Sequence, residues 1–189
     1  MPLIVKLLNA SAAEAQFAPV WGVEQIESLA SHGLRPEHFR LLFEGDRAIA
    51  CAAVWDQRSS RQAVVRRYPP LLRLGRVALN LLSPLTRLPK LPPVGTPIPL
   101  GLISHIATPT GRPELIVPLA NALNKPARAL GVNSIGVGFD ARDPRLAIAR
   151  SAFGGREYRT MLYAVHWEDG REAAAALDDR LCQPEVALL

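Results

Sequence analysis

The period of the apolar positions changes several times along the chain, and each change predicts a new element. Pro2-Leu3-Ile4-Val5-Lys6-Leu7-Leu8 is a short apolar run broken by one lysine, which reads as a first strand. Ser11-Ala12-Ala13-Glu14 has the form of a capping box and predicts a helix running toward Ala30, bent or split by Pro19 and Gly22. Two apolar runs, Phe39 to Phe43 and Arg47 to Trp55, flank Glu44-Gly45-Asp46 and predict a hairpin. A third strand over about Gln62 to Tyr68 would extend this meander.

Beyond Pro69-Pro70, Leu71, Leu74, Ala78, Leu81 and Leu85 recur at helical spacing among arginines, so residues 71–82 and their continuation predict a basic amphipathic helix. Such a helix could lie on a membrane surface or bind a partner, but packing on the sheet accounts for the same spacing and is the reading adopted. Pro84, Pro89, Pro92, Pro93, Pro97 and Pro99 then impose an ordered, extended connection over 84–99. The pattern next predicts a strand from Leu100 to Ala107. A helix follows from about Glu114 to Leu130, starting near Pro118 or kinked at Pro126. A glycine-bearing strand covers Ser134 to Phe139, and Asp143-Pro144 opens a short helix that Gly154-Gly155 ends. An aromatic strand from Tyr158 to Trp167 closes the sheet, and the alanine-rich stretch 170–189 reads as a helical or loose tail.

Composition narrows the class. At 189 residues and 49% hydrophobic, the chain can bury a core as a single domain over 1–189. The apolar start is too short for a signal peptide, and no run approaches the roughly 18 apolar residues of a membrane span. Cys51 and Cys182 are far apart and give neither a metal-ligand spacing nor a disulfide framework, so a reducing cytoplasm is expected. Charge is unevenly placed: no acid lies between Asp56 and Glu114, while arginines and Lys90 recur there, so one face is expected to be basic.

The succession from Leu100 to Trp167 resembles the second half of the GNAT acetyltransferases. So do the segments Ala50-Cys51-Ala52-Ala53-Val54-Trp55-Asp56-Gln57, Leu91-Pro92-Pro93-Val94-Gly95 and Tyr163-Ala164-Val165-His166-Trp167-Glu168-Asp169-Gly170, which look like the C-terminal GNAT-like part of poorly characterised bacterial proteins. The resemblance implies an α/β (α+β) fold, a central mixed, largely antiparallel sheet flanked by helices, with acetyl-CoA as cofactor. It places the pyrophosphate at the loop Thr108-Pro109-Thr110-Gly111-Arg112-Pro113, where backbone N–H groups and the helix dipole would bind it.

By that match Ile106, Ala107, Thr108, Gly111, Arg112, Asp143 and Arg150 are the cofactor-binding candidates. The loop departs from the family signature in carrying one glycine and in two prolines that offer no N–H. Asp143 to Gly155 resembles the family's next helix, with Arg150 near the position of a tyrosine that protonates the leaving thiolate; an arginine cannot do so. His105, midway along its strand with Ser104 facing the other way, is the candidate base for an incoming amine. Tyr158, with Tyr163 behind it, is the candidate acid. His32, His38 and His166 have no partner at metal-ligand spacing, and Ser59, Ser60 and Ser151 lack a nucleophile-elbow context.

Three functions follow from this reading. The first is acetyl transfer from acetyl-CoA to a small amine or protein amine. The second is a GNAT-fold module that binds a ligand or packs on an adjacent GNAT domain or a second copy without turnover. The third is a basic surface for nucleic acid or anionic membrane, which the 6% aromatic content, not interleaved with the arginines, does not favour.

Overall fold

A computed structural model describes residues 1–86 and 90–189. The protein has a mixed α+β fold built on one four-stranded sheet of order β1 (Phe39–Glu44), β2 (Arg47–Trp55), β3 (Leu100–Ala107) and β4 (Ser134–Gly136). The first two pairings are antiparallel and β3 runs parallel to β4. Strand β2 explains the layering. Its residues from Ala48 to Trp55 are all buried, and an apolar run of this kind needs cover on both faces.

Cys51, Ala53 and Trp55 point to one side, where α1 (Pro2–Ala12) and α2 (Val23–Ser28) supply Ile4, Leu8 and Ile26. Ala50, Ala52 and Val54 point to the other, where α4 (Ile116–Ala129) supplies Leu119, Leu123 and Ala127. The small residues on β2 let α1 and α4 approach closely. Helix α5 (Pro144–Phe153) follows β4, and α6 (Arg171–Ala175) lies within the stretch read as a tail.

The hairpin, β3 and the helix begun by Asp143-Pro144 form where the sequence predicts them. Several other elements differ. The apolar start is helical: Pro2 sits at the first helical position, and Ile4 and Leu8, one helical turn apart, are its buried residues. Ser11 therefore lies near the end of a helix rather than at its start, and the stretch toward Ala30 holds only α2 and a 3₁₀ turn. Residues 62–68 make one isolated bridge, Val64 with Pro97, because prolines 93, 97 and 99 have no N–H to extend a ladder. The glycine-bearing strand ends at Gly136, short of Phe139.

The aromatic stretch 158–167 forms no strand, with Tyr158, Met161, Tyr163, Val165 and Trp167 all exposed. Both of its faces carry apolar side chains, so it would need cover on two sides, and the helices that cover the sheet, α1 and α4, are already packed on β2. Helix α3 (Pro70–Thr86) forms as its spacing predicts but does not pack on the sheet. Leu71, Leu74, Leu81 and Leu85 are 75–84% exposed. Its polar side faces inward instead. Asn80 donates to the Leu91 carbonyl at 2.9 Å and accepts from the Leu91 N–H at 2.7 Å, and Arg76 donates to the same carbonyl at 3.4 Å. Part of the predicted connection, residues 87–89, lies outside the described residues. No helix among the described residues is long and apolar enough to cross a membrane.

Candidate functional site

Strands β3 and β4 pair only from Leu100 with Ser134 to Leu102 with Gly136, and then part. The other edge of β3 is irregular over the same stretch. Ser104 opposes Ala53 and Ala107 opposes Cys51, so β3 carries one extra residue, a bulge. His105 sits in it with φ of 52°, a left-handed conformation uncommon outside glycine, though histidine enters it more readily than most residues. The bulge brings the Ser104 hydroxyl to 3.1 Å from His105 Nδ1, rather than turning the two apart.

The His105 side chain is 1% exposed and lies among Trp21, Phe39 and Trp55, with ring centroids 4.6, 5.7 and 5.9 Å away. Burial pulls its pKa down to about 4, so the ring is neutral near pH 7. Its Nε2 is buried and finds no hydrogen-bond partner among the described residues. Glu185 Oε2 is 3.8 Å from Nδ1, but with the imidazole neutral this is no ion pair. The carboxylate is held instead by the His105 backbone N–H, which donates to it at 2.6 Å. Burial raises the Glu185 pKa, opposed by this bond and by one from the Ala187 N–H.

Glu185 belongs to a segment that occupies the gap between the parted strands. Gln183 Nε2 donates to the Ile106 carbonyl on β3 at 3.0 Å, and the Cys182 N–H donates to Asp140 Oδ2, beyond β4, at 3.0 Å. Val186 presses on Gly138: a Cβ there would fall 2.5 Å from Val186 Cγ2. Ala187 is fully buried in the core, and its carbonyl accepts from Gln57 Nε2 at 2.6 Å. Asp140 is kept ionised by Arg142, whose hydrogen bonds bring its pKa down to about 2. Arg142 also reaches the carbonyls of Asp179 and Arg180, both at 3.2 Å, tying the approach of the segment to the same corner.

At the mouth of the gap Arg145 gathers several predicted residues. It donates to Asp143 Oδ2 at 2.6 Å, to Thr108 Oγ1 at 3.4 Å and to Gln183 Oε1 at 3.4 Å, and stacks over Phe139 at 5.2 Å. Asp143 also caps α5, accepting from the Arg145 N–H at 2.8 Å. The structure thus brings Ile106, Thr108 and Asp143 together through Arg145 and Gln183, two residues the sequence reading did not single out. Ala107 is buried in the core next to them.

The remaining candidates lie elsewhere. Gly111 is exposed at a φ of 81°. Arg112 is engaged by Glu114 at 3.0 Å and by Glu44 on the hairpin. Arg150 pairs with Glu157, and Tyr158 is 91% exposed. A surface cavity of about 350 Å³ is lined by Gly33, Arg35, His38, Asp56, Ser59 and Leu130, none of them a predicted site residue. Among the described residues no group of three or more histidine, cysteine, aspartate or glutamate side chains is arranged to hold a metal ion.

A sequence signal for Arg145 exists in hindsight. Two residues after an N-cap aspartate, an arginine can fold back on that carboxylate. Nothing local says that the pair will be buried, nor that Gln183 will arrive from 38 positions away. No protein family, characterised protein or solved structure matches the chain.

Proposed function

We propose that this chain is a GNAT-like domain that works as a binding or packing module, with the place where such a fold would hold acyl-CoA taken by its own residues 182–188. The observation that carries this reading is the insertion of Gln183, Glu185, Val186 and Ala187 between β3 and β4, bonded to β3 and pressed on Gly138. A cofactor laid along β3 would have to displace the Gln183 and Glu185 bonds and an alanine with no exposed surface.

The loop chemistry agrees. Pro109 and Pro113 remove donors, the Arg112 N–H is used by the Pro109 carbonyl, and Glu114 adds negative charge at the start of the following helix. The candidate base fits poorly too, because an imidazole with a pKa near 4 and no access to solvent takes up protons weakly at neutral pH. Calorimetric titration of the intact chain with acetyl-CoA and CoA tests the reading: no heat at millimolar ligand is expected. Micromolar binding weakened by Arg112→Ala would overturn it.

One observation favours a second reading, acetyl transfer from acetyl-CoA to an amine. A strand, a loop with its helix, a second strand and a short helix, as β3, the loop before α4, α4, β4 and α5 form in turn, are the succession in which the resembled family holds acetyl-CoA. In that case the 182–188 segment is a removable occupant. A Val186→Asp variant, in which the segment is expelled, would then gain acetyl-CoA binding that the parent lacks.

A further inference from the structure

We propose that α3 is a docking surface for an anionic lipid bilayer, lying in the plane of the interface with its leucine stripe inserted among the acyl chains. The inference is independent of the function proposed above. Three observations carry it together. First, Leu71, Leu74, Leu81 and Leu85 form one stripe, Val77 lies at its margin, and all five are largely exposed. Neither hydrophobic core includes a residue of α3 among those described.

Second, the helix is held the other way round from a packed amphipathic helix. Asn80 and Arg76 bind the Leu91 backbone, and Ser83, 7% exposed, donates to the Asn80 carbonyl. The fold therefore fixes the polar side inward and presents the apolar side to whatever lies outside. At 17 residues the helix is about 25 Å long, the scale of helices that rest on membranes, and it is not one that crosses them.

Third, the charge of the stretch that carries the stripe selects the partner. From Asp56 to Glu114 the sequence has no acid, and Arg66, Arg67, Arg73 and Lys90 are exposed in that stretch. A second copy docked stripe to stripe would set these cations against their own kind. Nucleic acid would satisfy the cations and leave the leucines in water. An anionic bilayer satisfies both, with phosphate at the surface and hydrocarbon a few ångströms below.

The test is co-sedimentation of the full chain with vesicles of mixed phosphatidylcholine and phosphatidylglycerol and with phosphatidylcholine alone. Two variants accompany it, Leu74→Ser with Leu81→Ser, and Arg66→Glu with Arg67→Glu. These side chains are exposed, so circular dichroism should show both variants folded. Binding to the mixed vesicles is expected, weakened about tenfold or more by the leucine pair. The arginine pair should weaken it by a similar factor, and high salt or neutral vesicles should reduce it strongly. No sedimentation of the folded parent with anionic vesicles would overturn the proposal. So would binding unaffected by the leucine pair, which would mark a purely electrostatic surface, or self-association lost in the leucine pair without vesicle binding, which would mark a second copy as the occupant.

Discussion

Asp143 and Arg145 show how much can rest on two side chains. Their exposures are 3% and 9%, so Asp143→Ala would leave an arginine charge nearly dry, with the 3.4 Å contacts to Thr108 and Gln183 and the stack on Phe139 in place of its carboxylate. It would also remove the N-cap of α5. Loss of one partner of a buried pair costs about 3–5 kcal/mol, which makes Asp143→Ala the most damaging single polar change expected here. Urea unfolding should show it, and Asp143→Asn, which keeps an acceptor for the cap, should lose less. The capping role was legible from Asp143-Pro144, but the burial was not. An arginine in the first turn of a helix is ordinarily a surface residue, and only the arrival of residues 182–188 and Phe139 encloses this one.

At the level of elements, the join between the 182–188 segment and the stretch that follows β4 can be probed where Val186 meets Gly138. Gly138→Ala drives a methyl into Val186 and should cost about 1–3 kcal/mol, as overpacking does. Val186→Ala, on a side chain already 36% exposed, should cost about 1 kcal/mol or less. The double variant should be more stable than the two losses added together imply, with a coupling of about 1 kcal/mol measured by chemical denaturation. Additive losses would mean that the segment does not hold this position in solution.

Elements with one dominant signal were readable from sequence. The β1–β2 hairpin had its turn residues, α5 had its proline at the first helical position, and α4 had an apolar spacing strong enough to form around Pro126 in its interior. Elements whose signal was shared between two structures were not. Residues 2–8 have the length of a strand, yet Ile4 and Leu8 are also helical neighbours, and contact with β2 and β3 decided for the helix. The stretch 158–167 has the composition of a strand but no ladder partner. The stripe of α3 gave the helix correctly and its orientation wrongly, because periodicity says which residues share a face and not what that face meets.

For the molecule as a whole, the buried titratable groups set how stability follows pH. His105 has a pKa of about 4 when folded and 6.5 as a free side chain, so between these values the unfolded chain binds more protons. Stability should therefore fall as the pH drops from 6.5 toward 4. Asp140, lowered from 3.8 to about 2, adds a further loss below pH 3.8. Glu185 acts in the opposite sense: its raised pKa means the folded state holds the proton more tightly, so its contribution fades as pH rises above 4.5. Urea midpoints at a series of pH values should fall on acidification, and less steeply in His105→Asn, which accepts the left-handed backbone without titrating. An unchanged slope would place the lost titration elsewhere.

The same inserted segment also bears on how the chain is made. Gln16 is bridged to Cys182, with its N–H on the Leu181 carbonyl and its carbonyl accepting from the Gln183 N–H, both at 2.8 Å. Gln16 thus waits for partners at 181–183, and the seam between β3 and β4 stays unfilled until those residues emerge from the ribosome. A nascent chain interrupted there carries a nearly complete sheet with the free side of β3 bare, the kind of unpaired edge that recruits other chains. A chain paused before residue 182 is thus the form in which this fold is most open to aggregation or capture by chaperones.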